Sequence, residues 1–235
     1  MKQIFAEFEE NGFLIVRNTL DEETVSVLIN ALSNLKALKL ISRKDERVYG
    51  VRDLLNLSST IREFSQSRTV REIAENFLGK DAKVVRAIYF DKTPDANWKV
   101  PWHQDLTIAV REKLGVEGFT AWTQKVGIYH VQPPVEILKK MLTFRFHLDN
   151  ADENNGALKV VPKSHKKGRL SAEEIINVRK ANETSLCSVK KGDCLILRPL
   201  LVHSSSAGLN PKNRRVIHFE FSADELPNGL NWYDS

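Results

Sequence analysis

The chain is short of the residues and runs that would mark a secreted, membrane-spanning or nucleotide-driven protein. Two cysteines, Cys187 and Cys194, occur in 235 residues. They make no C-x-x-C spacing and no framework of bridges, which excludes a disulfide scaffold. Both fall in apolar stretches and read as buried thiols, so the expected setting is a reducing cytoplasm. No run approaches the roughly 18 apolar residues a membrane span needs, so no membrane partner is expected. The opening Met1-Lys-Gln-Ile-Phe-Ala-Glu-Phe-Glu-Glu carries acid every few residues and does not read as a signal peptide. P-loop, G-x-G-x-x-G and Ser-His-Asp elbow motifs are all missing, which leaves NTPase, dinucleotide and hydrolase readings without support.

Charge is equally undramatic. Thirty-five Lys and Arg against 30 Asp and Glu give a net charge of +5. The basic residues are scattered, with small runs at 163–169 and 212–215. Nucleic-acid binding would want a denser stripe with interleaved aromatics, so no nucleic-acid partner is expected. The positive field suits an anionic small molecule, either substrate or cosubstrate. Nothing in the sequence sets an oligomeric state.

With 42% apolar residues the chain can bury a sizeable core, and its length suits one all-β unit, so 1–235 reads as a single domain. Residues 1–80 read as a helical cover layer with a short strand at Leu14-Ile15-Val16. Asp21 is a candidate N-cap, followed by Val25, Leu28, Ile29 and Leu32 at helical spacing. A second helix is expected over Thr69–Leu78, with Gly79 as its stop. From Ala82 to about 222 the pattern turns to strands. These are expected at Val84–Phe90, Leu142–Leu148, Ala157–Val161, Thr184–Val189, Cys194–Leu197 and Val216–Phe221. At Leu142–Leu148 the alternation is strict: Leu142, Phe144, Phe146 and Leu148 share one face, Thr143, Arg145 and His147 the other. Many short strands, some with a polar face, predict a mostly β barrel or jelly roll with a functional interior. Leu106–Met141 is long for a connection and reads as a lid or substrate segment, with a helical hairpin as the alternative for Val135–Met141.

The polar residues that can carry chemistry form a small set. His103 and Asp105 sit two apart, and on a strand such residues point to one face. His203 follows an apolar strand far along the chain. Two imidazoles and one carboxylate are the donor set of a facial metal site with open positions, although the ligands alone do not choose between iron, zinc and copper. Eleven residues past His203 comes Arg214. Parity puts Arg214, Val216, His218 and Glu220 on one strand face, and a guanidinium there can grip a carboxylate in a fork. Arg145 and His147 could touch a cosubstrate or substrate if their face lines the interior. His130 and His165 read as structural, and His218 as a residue standing behind the metal site. Trp122, Lys125, His130 and Gln132 are the first side chains to inspect for substrate contact.

Four segments together resemble the phytanoyl-CoA dioxygenase superfamily across residues 84 to 222. They are Trp102-His103-Gln104-Asp105, the run from Asp152 through Asn155-Gly156-Ala157-Leu158 to Pro162-Lys163-Ser164-His165, the turn Lys191-Gly192-Asp193, and His203-x-Ser205 with Arg214. Lys163 stands where that family often has glycine. The resemblance implies a double-stranded β-helix, a cupin-like jelly roll, holding Fe(II) on His103, Asp105 and His203. It further implies 2-oxoglutarate held by Arg214 and Ser205, with Lys92 as a further polar contact. The activity it implies is dioxygenase chemistry: O2 is consumed, 2-oxoglutarate becomes succinate and CO2, and a small organic substrate is hydroxylated. Family members that halogenate lack the carboxylate ligand, so Asp105 favours hydroxylation. The alternative is a cupin-like metal-binding barrel without oxygenase turnover, a sensor or binding protein, which would have no use for Arg214.

Overall fold

The alternation at Leu142–Leu148 lies at the centre of the molecule. A computed structural model describes residues 2–35, 41–44, 47–209 and 212–234. The first part of the chain runs α1 (Lys2–Asn11), β1 (Phe13–Val16), α2 (Glu22–Leu35), β2 (Ile41–Lys44), β3 (Arg47–Val51), α3 (Leu54–Leu57), α4 (Ser59–Ser65) and α5 (Arg68–Leu78). The middle runs β4 (Lys83–Lys92), β5 (Val100–His103), β6 (Ile108–Val110), β7 (Thr120–Lys125), β8 (Ile128–Gln132), α6 (Val135–Lys140) and β9 (Leu142–His147). The last part runs β10 (Leu158–Val160), α7 (Ala172–Ala181), β11 (Ser185–Cys187), β12 (Cys194–Leu197), β13 (His203–Ser205) and β14 (Arg214–Ser222).

Seven strands form the larger sheet in the order β1-β12-β9-β14-β4-β3-β2, every pair antiparallel. Strand period 2 gives this sheet two different faces. Phe144 and Phe146 of β9, Ile217 and Phe219 of β14, and Tyr89 of β4 pack outward in one buried cluster with Val25, Leu28 and Leu32 of α2 and Phe64 of α4. Phe64 meets the rings of Phe146 and Phe219 at 5.0 and 5.8 Å. Burial of so many large side chains, at about 1.5–3 kcal/mol each, is what fastens the helical layer to the sheet. The helix starts follow local chemistry: the Asp21 carboxylate accepts from Thr24 N, and the Ser58 and Ser67 hydroxyls accept from Ile61 N and Val70 N. The opposite face of β9 and β14, carrying Arg145, His147, Arg214 and His218, is also buried, so the polar face lines an interior and not the solvent.

A second sheet has the order β11-β10-β13-β5. Residues of both sheets border one cavity, the double-stranded β-helix arrangement. Leu106–Met141 departs from a simple lid. It forms a third sheet, β6-β8-β7, plus the short α6, around Ile108, Val131, Leu138, Leu200 and Trp232. The β7–β8 turn uses Val126 and Gly127 at φ 53° and 80°, without the Asn-Gly signal that announces such a hairpin. Helix α7 was also unannounced by periodicity, yet it opens on a capping box: the Ser171 hydroxyl accepts from Glu174 N and the Glu174 carboxylate from Ser171 N.

The segment Pro162–His165 docks the helical layer. His165 lies over Gly12, with its Nε2 3.2 Å from Glu9 O, and Gly12 at φ 79° leaves no room for a side chain there. Lys163, where the resembling family often has glycine, adopts φ 67°. That left-handed conformation costs a non-glycine residue roughly 1–2 kcal/mol, against about 0.5–1 kcal/mol of extra chain entropy for glycine. Lys163 pairs with Glu10 at the surface, where Lys166 binds the same carboxylate, and exposed pairs contribute little. Lys163→Gly is therefore expected to raise stability by about 0.5–1 kcal/mol in urea unfolding. A loss of stability would contradict the strain argument.

Candidate metal centre

Strand β13 lies antiparallel to β5 with His203 directly opposite His103. Their rings are 4.2 Å apart between centroids. Each imidazole is held by its own strand: His103 Nδ1 lies 2.8 Å from Pro101 O and His203 Nδ1 2.8 Å from Leu201 O. A carbonyl can only accept, so each Nδ1 carries the proton and each Nε2 presents a lone pair. Both Nε2 atoms stand 3.6 Å from the Asp105 carboxylate, one to each oxygen. Ligand atoms of all three residues lie within 4.8 Å of one another. This is a site that can hold a metal ion.

The strand expected to carry both His103 and Asp105 ends at His103. Asp105 keeps its position for another reason. Gln104, pointing the opposite way and buried, donates to Leu200 O at 2.6 Å and Gly168 O at 2.8 Å, while its Oε1 accepts from Leu170 N at 2.8 Å. Asp105 N donates to Pro199 O at 2.9 Å. Four hydrogen bonds thus lock a segment without strand pairing. Gln104 was passed over in the sequence because only its neighbours can bind a metal.

The electrostatics suit a cation. Burial works against a charged Asp105; protonated imidazoles at His203 and His103 outweigh it and hold the carboxyl well below the usual range, and a bound cation takes over that part when the imidazoles are neutral ligands. Burial pushes His203 down to about 4, so it is a neutral ligand.

The cavity between the sheets has a volume of about 230 Å³ and is bordered by His103, Asp105 and His203 together with Arg145, Arg214, His218 and Ser205. Arg214 is directly opposite Lys92 in the β14–β4 register. The Lys92 ammonium donates to Ser205 Oγ at 2.7 Å and Ser206 O at 2.5 Å. Ser205 Oγ and Arg214 Nη1 both donate to Gly156 O at 2.9 Å. Gly156 sits at φ 78°, and a Cβ there would lie 2.9 Å from the Lys92 ammonium. Lys92, Arg145 and Arg214 are all buried, and none makes an ion pair among the described residues. Arg214 Nε and Arg145 Nε are buried without any hydrogen-bond partner. Arg215, by parity on the other face, pairs with Asp149 through two bonds of 2.7 and 2.8 Å.

Other expected residues lie elsewhere. Trp122 packs into the cluster under the third sheet. His130 is buried with Nδ1 3.0 Å from Ile128 O, as a structural histidine. Gln132 pairs with Thr120 in the β7–β8 ladder. Neither these three nor Lys125 borders the cavity. A wider groove over Arg17, Asn150 and Asp193 brings no such set together, because Asp193 is taken up by Arg17, Asn18 N and Lys190 N.

Fold and site together define an antiparallel β-helix barrel with a His-Asp-His metal constellation facing buried cations. The chain belongs to the phytanoyl-CoA dioxygenase (PhyH) family, whose model matches residues 8–216. It is 23% identical over 255 aligned positions to the peroxisomal phytanoyl-CoA dioxygenase of Bos taurus, with 92% of this chain covered. The chain spans about two thirds of that relative's length, 66%. Among solved structures it resembles EctD from S. alaskensis with 2-oxoglutarate and 5-hydroxyectoine, at TM-score 0.75 and 17% identity over 94% of this chain and 76% of that one. It also resembles HygX from Streptomyces hygroscopicus with nickel and 2-oxoglutarate bound, at TM-score 0.70 and 14% identity over 94% and 86%. Among the described residues no helix is long and apolar enough to cross a membrane.

Gln104→Leu would leave Leu200 O, Gly168 O and Leu170 N without their partner. It is expected to cost about 2–3 kcal/mol of stability and to weaken Mn(II) binding about tenfold or more. Unchanged metal affinity would contradict the locking role.

Proposed function

We propose that the protein is a non-haem Fe(II)- and 2-oxoglutarate-dependent dioxygenase that hydroxylates a small organic substrate. The observation that carries this reading is the trio Lys92, Arg145 and Arg214, buried near the metal constellation and, among the described residues, without an acid ion-paired to any of them. A buried charge is costly unless it is paired, so the interior is built for an anion. A dicarboxylate with a 2-oxo group is the anion that would satisfy both the cations and a metal with open positions. A metal-binding barrel without turnover would use the triad and leave the trio unexplained.

In this reading His103, Asp105 and His203 hold iron, and Arg214, Ser205 and Lys92 take the far carboxylate. Arg145, over the Phe90 ring at 5.8 Å, also feels the charge of Asp105 and is therefore assigned to the metal end. Bound iron with 2-oxoglutarate supplies the oxidising power, with O2 consumed and succinate and CO2 formed. The protein's own contribution is to fix two imidazoles through Nδ1, to keep Asp105 ionised, and to present preorganised donors to the dianion. Retention of Asp105 favours hydroxylation over halogenation. The substrate is a small molecule, and the positive interior favours an anionic one. Burial raises Cys187 to about 12 and raises Cys194 further, which suits inert thiols in a reducing compartment such as the cytoplasm.

The direct test is succinate release with Fe(II), 2-oxoglutarate and O2. Wild type is expected to show slow turnover without substrate, and Asp105→Ala and Arg214→Met at least 100-fold less. Equal turnover in all three proteins would sink the assignment.

Lys92 adds a pH signature. Burial, with Arg214 and Arg145 nearby, pulls its ammonium down to about 7. An arriving carboxylate raises it again, so binding takes up a proton above neutral pH. Affinity for 2-oxoglutarate should be full below about 7 and decline as pH rises past it, and Lys92→Met should flatten that decline. Calorimetry on the Mn(II)-loaded protein checks this; a pH-independent wild-type affinity would contradict it.

A further inference from the structure

From the cavity wall, where Arg145 and His218 lie, a continuous polar chain runs to Glu220 and the partly buried Arg86, and metal and cosubstrate binding do not by themselves explain it. It crosses the three central strands β9, β14 and β4. Arg145 Nη1 donates to His218 Nδ1 at 3.1 Å. Because Nδ1 accepts, His218 carries its proton on Nε2, which donates to Glu220 Oε1 at 3.3 Å. Arg86 Nη1 closes the chain on the same Oε1 at 3.0 Å and also reaches Thr107 O at 3.3 Å. Thr107 is two residues past Asp105. The register makes the chain possible, since His218 is opposite Arg145 in one ladder and Glu220 opposite Arg86 in the other.

We infer that Arg86, Glu220 and His218 form a positioning relay. One end fixes the Arg145 guanidinium toward the metal end of the cavity. The other end ties down the backbone just beyond the carboxylate ligand. Through these two ends the relay sets how the metal-side carboxylate of the cosubstrate lies against the iron ligands. This deepens the 2-oxoglutarate reading and rests on it.

Stability alone does not account for such a chain. Its side chains are on the inward faces of their strands, where apolar residues of similar size would pack at no net cost. The hydrogen-bond directions are also single-valued. Arg145 and Arg86 can only donate, Glu220 can only accept, and neutral His218 has one arrangement that links them. Arg145 is thereby aimed by its neighbour while its Nε stays buried and unpartnered. Among the described residues the other buried cations here, Arg214 and Lys92, are engaged with Gly156 O and Ser205, which leaves Arg145 as the donor for the near carboxylate.

The test is titration calorimetry of 2-oxoglutarate into Mn(II)-loaded protein, with Mn(II) affinity measured separately. Glu220→Gln and Arg86→Met should each weaken 2-oxoglutarate about tenfold, comparable to Arg145→Met. Arg86→Met should also weaken Mn(II) severalfold, through Thr107. The deciding variant is the double one: if Glu220 acts through Arg145, Glu220→Gln should add nothing in an Arg145→Met background. Additive losses, or unchanged affinity in a folded Glu220→Gln protein, would overturn the relay while leaving the cosubstrate reading intact. Failure of wild type to bind 2-oxoglutarate would overturn both. Should Glu220→Gln not fold, Glu220→Asp carries the same comparison, since it keeps the charge and shortens the reach. A severalfold loss that vanishes over Arg145→Met is expected, and an additive one refutes the relay.

Discussion

Positive charge held inside a barrel, with no carboxylate ion-paired to it among the described residues, is the constraint to which the rest of this architecture answers. Lys92 and Arg214 are directly opposite one another on neighbouring strands, an arrangement that ordinarily destabilises a sheet. Arg145 adds a third cation to the same interior. The fold tolerates them because each has neutral acceptors in place. Gly156 O takes both Arg214 and Ser205, Ser205 Oγ and Ser206 O take Lys92, and His218 takes Arg145. Those acceptors compensate hydrogen bonds and leave the charge without a directly paired carboxylate among the described residues. An anion in the cavity would answer it, which is why this feature carries the functional reading.

The two sheets divide the work. The smaller one brings His103 and His203 side by side, with Asp105 held just past the end of β5 by Gln104. The larger one supplies the cations and the relay behind them from β4, β9 and β14. Its opposite face is given over to aromatic and aliphatic packing against α2, α4 and α5. Rigidity on that side explains how arginine side chains, with many rotamers of their own, can be aimed into a cavity of about 230 Å³.

Much of this was legible in the sequence, where a simple period met a definite chemistry. Strict alternation at Leu142–Leu148 marked a strand with one polar face, and burial of Arg145 and His147 decides that this face looks inward. Parity separated Arg214 from Arg215, and Arg215 indeed spends itself on Asp149 at the outer face. Helix α2 begins one residue after its foreseen N-cap, Asp21. The failures have physical causes too. The i, i+2 argument for His103 and Asp105 assumed a strand, whereas hydrogen bonds from a glutamine side chain do that work. Sheet β6-β8-β7 was missed because its turn carries Val126 in place of a glycine or asparagine signal. Helix α7 has a capping box that could have been read at Ser171 and Glu174. The chain from Arg145 to Thr107 O depends on which strands are neighbours, and no local pattern holds that information.

The most direct measurement is the visible spectrum of the protein mixed with Fe(II) and 2-oxoglutarate in the absence of oxygen. A 2-oxo acid chelated to iron gives a weak charge-transfer band that neither component gives alone. The account predicts that band in wild type, and its loss in Arg214→Met under conditions where Fe(II) still binds. A wild-type protein that binds Fe(II) yet shows no band at saturating 2-oxoglutarate would contradict it.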